Sequence, residues 1–347
     1  MVKKYFAGAN TSSGYVTLLE NNLSGIDKLY CISGKSKKLK TEIMKKILEN
    51  GEEKYKNIEC VFNPFNIKRI DTIIFRDIKT ALVDKDAYSG ENAIKTYETA
   101  NFEREESQDA KELQAKSEKA KRNFYKAYAE GKVIHDDWEK IYIKNMNFER
   151  FNAYQDGVII KLFAKKNDIA GTYKYHRFFG ASTPDGSVNY IDNLTENLKK
   201  RYFIKGRPGT GKSTFLKRVV KRADEMGYST EIYYCSFDKN SLDMVIVPEL
   251  GFCVFDSTAP HEMFPERDRD VILDFYAEAG LSGIDEKYKK ELLEISSKYK
   301  HKMAEGMAYL RLYKLYMKEY ERLILPEIDE IKLKCLTDEI SNEILGT

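Results

Sequence analysis

The stretch Arg201–Arg218, RYFIKGRPGTGKSTFLKR, decides the reading of this chain. Its first residues, RYFI, read as a strand, and TFLKRVVKRADEM, from Thr214, reads as a helix. The turn between them satisfies G-x-x-x-x-G-K-[ST] in the strand–helix context that the pattern needs. A loop that binds phosphate must turn several main-chain N–H groups onto one anion. Gly206, Gly209 and Gly211 allow the backbone to approach closely and to take unusual dihedrals. Pro208 stiffens the turn, and Arg207 and Thr210 complete the loop. The helix amino terminus adds unpaired donors and a positive dipole. Lys212 is expected to reach the outer phosphates and Ser213 to offer its hydroxyl to Mg²⁺.

The same strand and turn occur 172 residues earlier. Lys212 falls on Lys40 and Gly206 on Gly34, so GRPGTGKST lies over GKSKKLKTE. At that offset YFAGANTSSGYV (Tyr5–Val16) lies over RFFGASTPDGSV (Arg177–Val188), and KLYCISG over KRYFIKG. Asp71 falls on Asp243, Ile74 on Ile246 and Asp84 on Asp256 without a gap. Beyond Asp84 the offset is expected to persist, with Trp138 on Leu310 and IIKLFA on IKLKCL. The chain therefore reads as two tandem copies, residues 1–170 and 171–347. In each, strands alternate with helices, which argues for a mostly parallel α/β sheet, and a charged amphipathic helical arm closes the half. The fold class expected is two tandem P-loop NTPase-like α/β domains, the second with an intact phosphate loop.

A magnesium site also needs a carboxylate at the end of a neighbouring strand. GFCVFDSTAPHE places Asp256 after an apolar run, suited to orient Mg²⁺ directly or through water. Asp238 and Asp243 are lesser candidates. The glutamate that often follows such an aspartate is replaced by Ser257. His261 is the candidate for orienting water or substrate, with Glu262 beside it. Arg267 and Arg269 are candidates for closing on phosphate, against the plainer reading as surface charges. The NKxD run that reads guanine does not occur, so ATP is expected rather than GTP.

In the first copy Lys37 replaces Gly209 and Leu39 replaces Gly211. A branched side chain then stands where bare backbone should face phosphate, and Lys37 sits where a positive φ would cost about 1 kcal/mol or more. Lys40, Thr41 and Asp84 keep the remaining pattern, and Lys35, Lys37 and Lys38 make the loop basic. A decayed site that kept its fold is the expectation; a basic loop that still holds an anion is the alternative.

Composition limits the partners. A net charge of +3 on 347 residues is too near balance to argue for nucleic acid or a charged membrane surface. No apolar run reaches membrane-spanning length, and the amino terminus lacks the apolar core of a signal peptide. Cys31, Cys60, Cys235, Cys253 and Cys335 are odd in number and form no CxxC, so reduced thiols in a cytoplasmic protein are expected. In the arms, Leu292, Ile295, Tyr299 and Met303 make one apolar stripe, and Leu113, Ala120, Phe124, Ala127 and Tyr128 another. Helix-on-helix packing is the plain reading; a hairpin that protrudes to a protein partner is the sharper one. The tyrosine-rich run Ala308–Ile324 reads as packing rather than as a stacking platform.

RYFIKGRPGTGKST, SFDKNSLDMVIVPELGFCVFDSTAPHE and FFGASTPDG resemble a family of tandem phosphate-loop ATPases of Gram-positive bacteria, nucleotide-kinase-like in sequence. The resemblance spans both halves and is more specific in the second. It implies the double NTPase-like fold, ATP binding and an α-phosphate contact for Thr214, without supplying a reaction. The glycine-poor first loop departs from the family. Three functions fit these residues: an Mg-dependent ATP hydrolase used as a conformational switch, a small-molecule or nucleotide kinase, and a non-catalytic ATP sensor.

Overall fold

The computed structural model describes residues 1–164, 173–259 and 262–346. The junction expected between the halves falls at 165–172, outside the described residues. The first half begins with β1 (Lys3–Tyr5), the hairpin β2 (Gly8–Thr11) and β3 (Gly14–Thr17), then α1 (Leu19–Asn22). Next come β4 (Lys28–Ser33), α2 (Lys37–Glu52), β5 (Ile58–Asn63), β6 (Asn66–Phe75), β7 (Thr80–Asp84) and β8 (Lys95–Glu98). Two helices end it, α3 (Gln108–Ile143) and α4 (Phe148–Leu162). The second half repeats this order as β9 (Lys174–Arg177), β10 (Gly180–Thr183), β11 (Gly186–Asn189), α5 (Ile191–Thr195), β12 (Lys200–Lys205) and α6 (Lys212–Glu225). It continues through β13 (Thr230–Tyr234), β14 (Leu242–Val247), β15 (Phe252–Asp256) and β16 (Val271–Asp274). Two short helices, α7 (Phe275–Glu278) and α8 (Ile284–Lys287), lead into α9 (Lys289–Ile324) and α10 (Glu330–Leu345).

Each half forms a six-stranded sheet of one topology: β1–β5–β6–β7–β4–β8 and β9–β13–β14–β15–β12–β16. The sheets are mostly parallel, as expected. β6 and β14 are the exceptions, pairing antiparallel with both neighbours. The tight corners before β7 and β15 match too: Lys79 and Gly251, 172 residues apart, both take left-handed backbone at φ +50° and +65°.

The common register ends after Asp84. β8 and β16 begin 176 residues apart, α3 and α9 181 apart, and α4 and α10 182 apart. Trp138 and Leu310 are therefore not equivalent, nor are IIKLFA and IKLKCL. The second half carries a longer connection after β15, and α7 and α8 before its long helix.

Side-chain alternation along the strands builds four layers. In β4, Leu29 and Cys31 face one core while Tyr30 and Ile32 face another; in β15, Cys253 and Phe255 part in the same way from Phe252 and Val254. One face of each sheet enters a core shared by both halves. The outer faces are covered by helices, and these are exchanged. On the first sheet, Leu39, Ile43 and Ile47 of α2 pack with Ile340 and Ile344 of α10, from the second half. On the second, Phe215 and Val219 of α6 pack with Phe151 and Val158 of α4, from the first.

A pseudo-twofold axis relates the halves, and hydrogen bonds mark it. Phe6 and Phe178 exchange N–H and carbonyl at 2.9 Å each way. Lys4 N donates to Asn193 Oδ1 at 2.7 Å, and His176 N to Asn21 Oδ1 at 2.6 Å. Arg177, fully buried, pairs with Glu59 and with its counterpart Glu231 at 2.9 and 3.1 Å. The long helices α3 and α9 run antiparallel against each other. Ala110 meets Tyr320 and Ile324 at one end, Phe124 and Tyr128 meet Leu310 in the middle, and Tyr142 bonds Asp285 just before α9 at the other. Gly131 and Gly306 permit this approach, since a Cβ would lie 2.3 Å from Met303 Cε and 2.8 Å from the Tyr128 ring. The arms thus pack on each other, which is the plain reading of their stripes. No described helix is long and apolar enough to cross a membrane. The five thiols are free.

Candidate functional site

The loop Gly206–Ser213 joins β12 to α6. β12 pairs in parallel with β15, with Ile204 opposite Asp256, so the strand-end carboxylate emerges beside the loop. Gly209 and Gly211 take φ of +77° and +75°. Lys212 Nζ lies 2.9 Å from Arg207 O and 3.5 Å from Asp256 Oδ2. Thr210 Oγ1 donates to Arg207 O at 2.8 Å, which ties the loop to itself. Ser213 Oγ accepts from Leu242 N at 2.9 Å. Among the described residues, no acceptor takes the main-chain N–H of Gly209, Gly211, Lys212, Ser213 or Thr214. Five donors around one helix start make a concentrated anion-binding field.

The other expected residues are placed unequally. Arg207 bonds Asp285 at 2.8 and 3.0 Å and lies over the Tyr276 ring, so its charge anchors the loop to α8. Pro208 lies within the same turn. Asp256 Oδ1 accepts from Thr258 N and Oγ1 at 3.0 and 2.6 Å. Asp243 is buried behind it; burial, and then the Asp256 charge, push its carboxyl up into the range where it holds a proton near neutrality. Asp238 lies 3.4 Å from Lys132 Nζ. His261 falls outside the described residues. Glu262 is exposed, 4.0 Å from Lys205. Arg267 does not reach the loop: its guanidinium donates to Thr195 O at 3.0 Å, across the connection before β12. Arg269 is a surface charge.

The sequence reading missed the contribution of the first half. The carboxyl-terminal part of α3 lies on this loop, so closely that a Cβ on Gly209 would be 2.8 Å from Glu139 O. Glu139 and His135 share one helix face, with 3.7 Å between the carboxylate and Nδ1. Burial raises the Glu139 carboxyl above its ordinary range, against Lys132 and Lys212. Burial lowers His135, helped by Lys132. The ligand atoms of His135, Asp136 and Glu139 lie within 4.8 Å of one another, but Asp136 is already paired with Lys132. The one signal in the sequence was the i, i+4 spacing of His135 and Glu139, which says nothing of a loop 70 residues away.

The first-half loop has a different structure. α2 begins at Lys37, whereas α6 begins only at Lys212, the counterpart of Lys40. The residues Lys37, Lys38 and Leu39 are thus wound into the helix behind the N-cap Ser36, whose Oγ accepts from Leu39 N at 3.2 Å. Lys37 therefore takes no positive φ, and Leu39 is fully buried in the core rather than facing an anion. The amides here are consumed. Glu103 accepts from Lys35 N and Ser36 N at 2.9 Å each, and Glu321 of α9 from Lys37 N and Lys38 N at 2.9 and 3.3 Å. Lys40 is buried against Asp84 and Asp86 at 2.6 and 2.7 Å. A cavity of about 650 Å³ lies over this loop. It is roomy, but its amides already hold carboxylates, whereas five amides of the second loop have no acceptor among the described residues.

Fold and site together define a pseudo-symmetric, two-sheet α/β protein with one open helix-start loop and one closed by its own glutamates. Compared with family models, curated proteins and solved structures, the chain matches none.

Proposed function

We propose that the second half is a P-loop NTPase domain that binds ATP with Mg²⁺ and hydrolyses it, and that the first half is a copy unable to bind nucleotide. The observation that carries the reading is the difference between two loops at equivalent positions. In one, the amides of Gly209, Gly211, Lys212, Ser213 and Thr214 have no acceptor among the described residues and stand beside Lys212 Nζ, while Thr210 N turns back to Arg207 O; in the other, Glu103 and Glu321 fill the equivalent turn. Gly206 to Thr214 would cradle the phosphates, and Lys212 would neutralise the outer ones. Ser213, next to Lys212, and Asp256, whose carboxylate lies 3.5 Å from the Lys212 ammonium, would supply the hydroxyl and carboxylate oxygens that suit Mg²⁺, and the metal would supply charge neutralisation there. Glu139, from α3, is the candidate base that Ser257 does not provide, and its raised proton affinity suits it to accept a proton from water. Because Glu139 comes from one half and the loop from the other, a change in loop charge acts directly on the α3–α9 pair, which suits a switch. The resemblance to tandem phosphate-loop ATPases of Gram-positive bacteria is in line with this.

Isothermal titration with Mg-ATP tests it. One nucleotide per chain is expected, with binding abolished in Lys212→Ala and nearly unchanged in Lys40→Ala. Two nucleotides per chain, or retention of binding in Lys212→Ala, would overturn the assignment.

A further inference from the structure

The 650 Å³ cavity over the first-half loop is of the size that small-molecule sites occupy. It lies between the loop, β6 and the long helices α3 and α9. Its aromatic wall is Tyr15, Phe65, Tyr313 and Tyr320. Phe65 stands at the centre of this wall, 4.8 Å from the Tyr313 ring and 5.9 Å from that of Tyr15. Rings gathered in this way offer their negative faces to a cation.

The charges point the same way. Every basic residue lining the cavity is already paired: Lys35 with Glu106 at 3.5 Å, Lys37 with Asp86 at 3.1 Å, Arg69 with Glu321 at 2.9 Å and Lys121 with Glu118 at 2.6 Å. The loop amides, which would otherwise attract phosphate, are held by Glu103 and Glu321. Asp71 of β6 is the exception. It is 6% exposed, lines the cavity and, among the described residues, takes its hydrogen bonds from Asn63 Nδ2 alone, at 2.9 and 3.2 Å. The charged groups that act on it most are Asp84, Lys37 and Lys40, and the two lysines pair with Asp84 and Asp86. Three carboxylates against two ammoniums leave one negative charge without a partner. Burial, then Asp84, push the Asp71 carboxyl up to about 6, more than Asn63, Lys37 and Lys40 offset.

We propose that this cavity binds a small phosphate-free aromatic amine, its ammonium paired with Asp71 and its ring held among Tyr15, Phe65 and Tyr313. The first-half site has thus changed ligand class: carboxylates supplied by the chain stand where an anion would go, and the space above them suits a cation. This holds whether or not the second loop binds ATP, and the tests are separate.

Three probes of one shape decide it by calorimetry on the full chain: tyramine, 4-hydroxyphenylethanol and 4-hydroxyphenylacetate, which differ in carrying an ammonium, a hydroxyl or a carboxylate. Tyramine is expected to bind at least about tenfold more tightly than either of the others, the factor that one charge-assisted hydrogen bond supplies. Asp71→Asn is expected to remove that preference, and Tyr313→Leu, which takes away part of the wall that holds the shared ring, to weaken tyramine and any other probe that binds, with Mg-ATP binding unchanged in both. Should Asp71→Asn fail to fold, Tyr313→Leu carries the test. Equal affinity for the three probes, preference for the carboxylate, no binding of tyramine at millimolar concentration, or tyramine binding indifferent to the variants would each overturn the proposal.

Discussion

Leu39 and Gly211 stand at one position of the repeat and do opposite things. Gly211 caps α6 with left-handed backbone and leaves the amides after it open. Leu39 lies inside α2, fully buried against Ile43 and Ile340. The residue that winds this turn into the helix thus also supplies core packing, so the first copy takes its closed form without strain. Leu39→Ala is expected to cost about 2–5 kcal/mol in urea unfolding, the range for truncating a buried leucine, with no effect on Mg-ATP titration. At the other loop the informative residue is Glu139. If it accepts the proton of the attacking water, Glu139→Gln keeps the shape, lowers ATP turnover by about 10²–10⁴-fold, and leaves Mg-ATP affinity within a few-fold. Equal loss of affinity and turnover would instead assign Glu139 to binding. The turn was legible because a strand-to-helix turn of this form fixes glycines at set spacing, and Gly209 and Gly211 do take left-handed backbone. Glu139 was not, because nothing local ties a helix residue to a glycine 70 positions on.

Among the elements, α9 is the one whose role no pattern disclosed. Its stripe of Leu292, Ile295, Tyr299 and Met303 signalled a helix packed on one face, and α3 is what covers it. The stripe could not say that its far end delivers Glu321 into the other half. Glu321 accepts there from Ser36 Oγ at 2.7 Å, from two amides and from Arg69. Removing this carboxylate leaves a half-buried guanidinium and a helix start unpaired. Glu321→Ala is expected to destabilise by roughly 3–5 kcal/mol, read by urea unfolding. The double variant Glu321→Leu with Arg69→Met should recover part of that, because neither charge is then left alone. A loss under about 1 kcal/mol for Glu321→Ala would show that water replaces the carboxylate easily. β6 and β14 were hidden for a related reason: an antiparallel strand between two parallel ones has the same apolar alternation as its neighbours, and only pairing reveals its direction.

The whole molecule is held by what lies on its axis. Duplication was readable from an ungapped offset of 172, but exchange of the covering helices α4 and α10 was not, since amphipathic helices do not say which sheet they cover. The axis itself carries a charge cluster that composition gave no reason to expect. Arg177 lies between Glu59 and Glu231, with Arg76 and Lys3 at its edges. Burial alone would raise the Glu59 carboxyl, but Arg177 and Arg76 outweigh it and hold it at about 2, against an ordinary 4.5. A carboxyl depressed in the fold adds stability that is complete above its unfolded value and is lost as pH falls through its folded value. The window is therefore from about 4.5 down to about 2, and the shift corresponds to roughly 3 kcal/mol. Asp71 acts oppositely: raised from 3.8 to about 6, it gives stability that is complete below about 4 and lost as pH rises through 6. Urea unfolding of wild type and of Glu59→Gln separates the two, since Asp71 is common to both. The stability gap between them should be widest above about pH 5 and shrink steadily toward about pH 2. A gap independent of pH would mean that Glu59 serves the axis through shape and hydrogen bonds, and that its charge adds nothing to the joining of the halves.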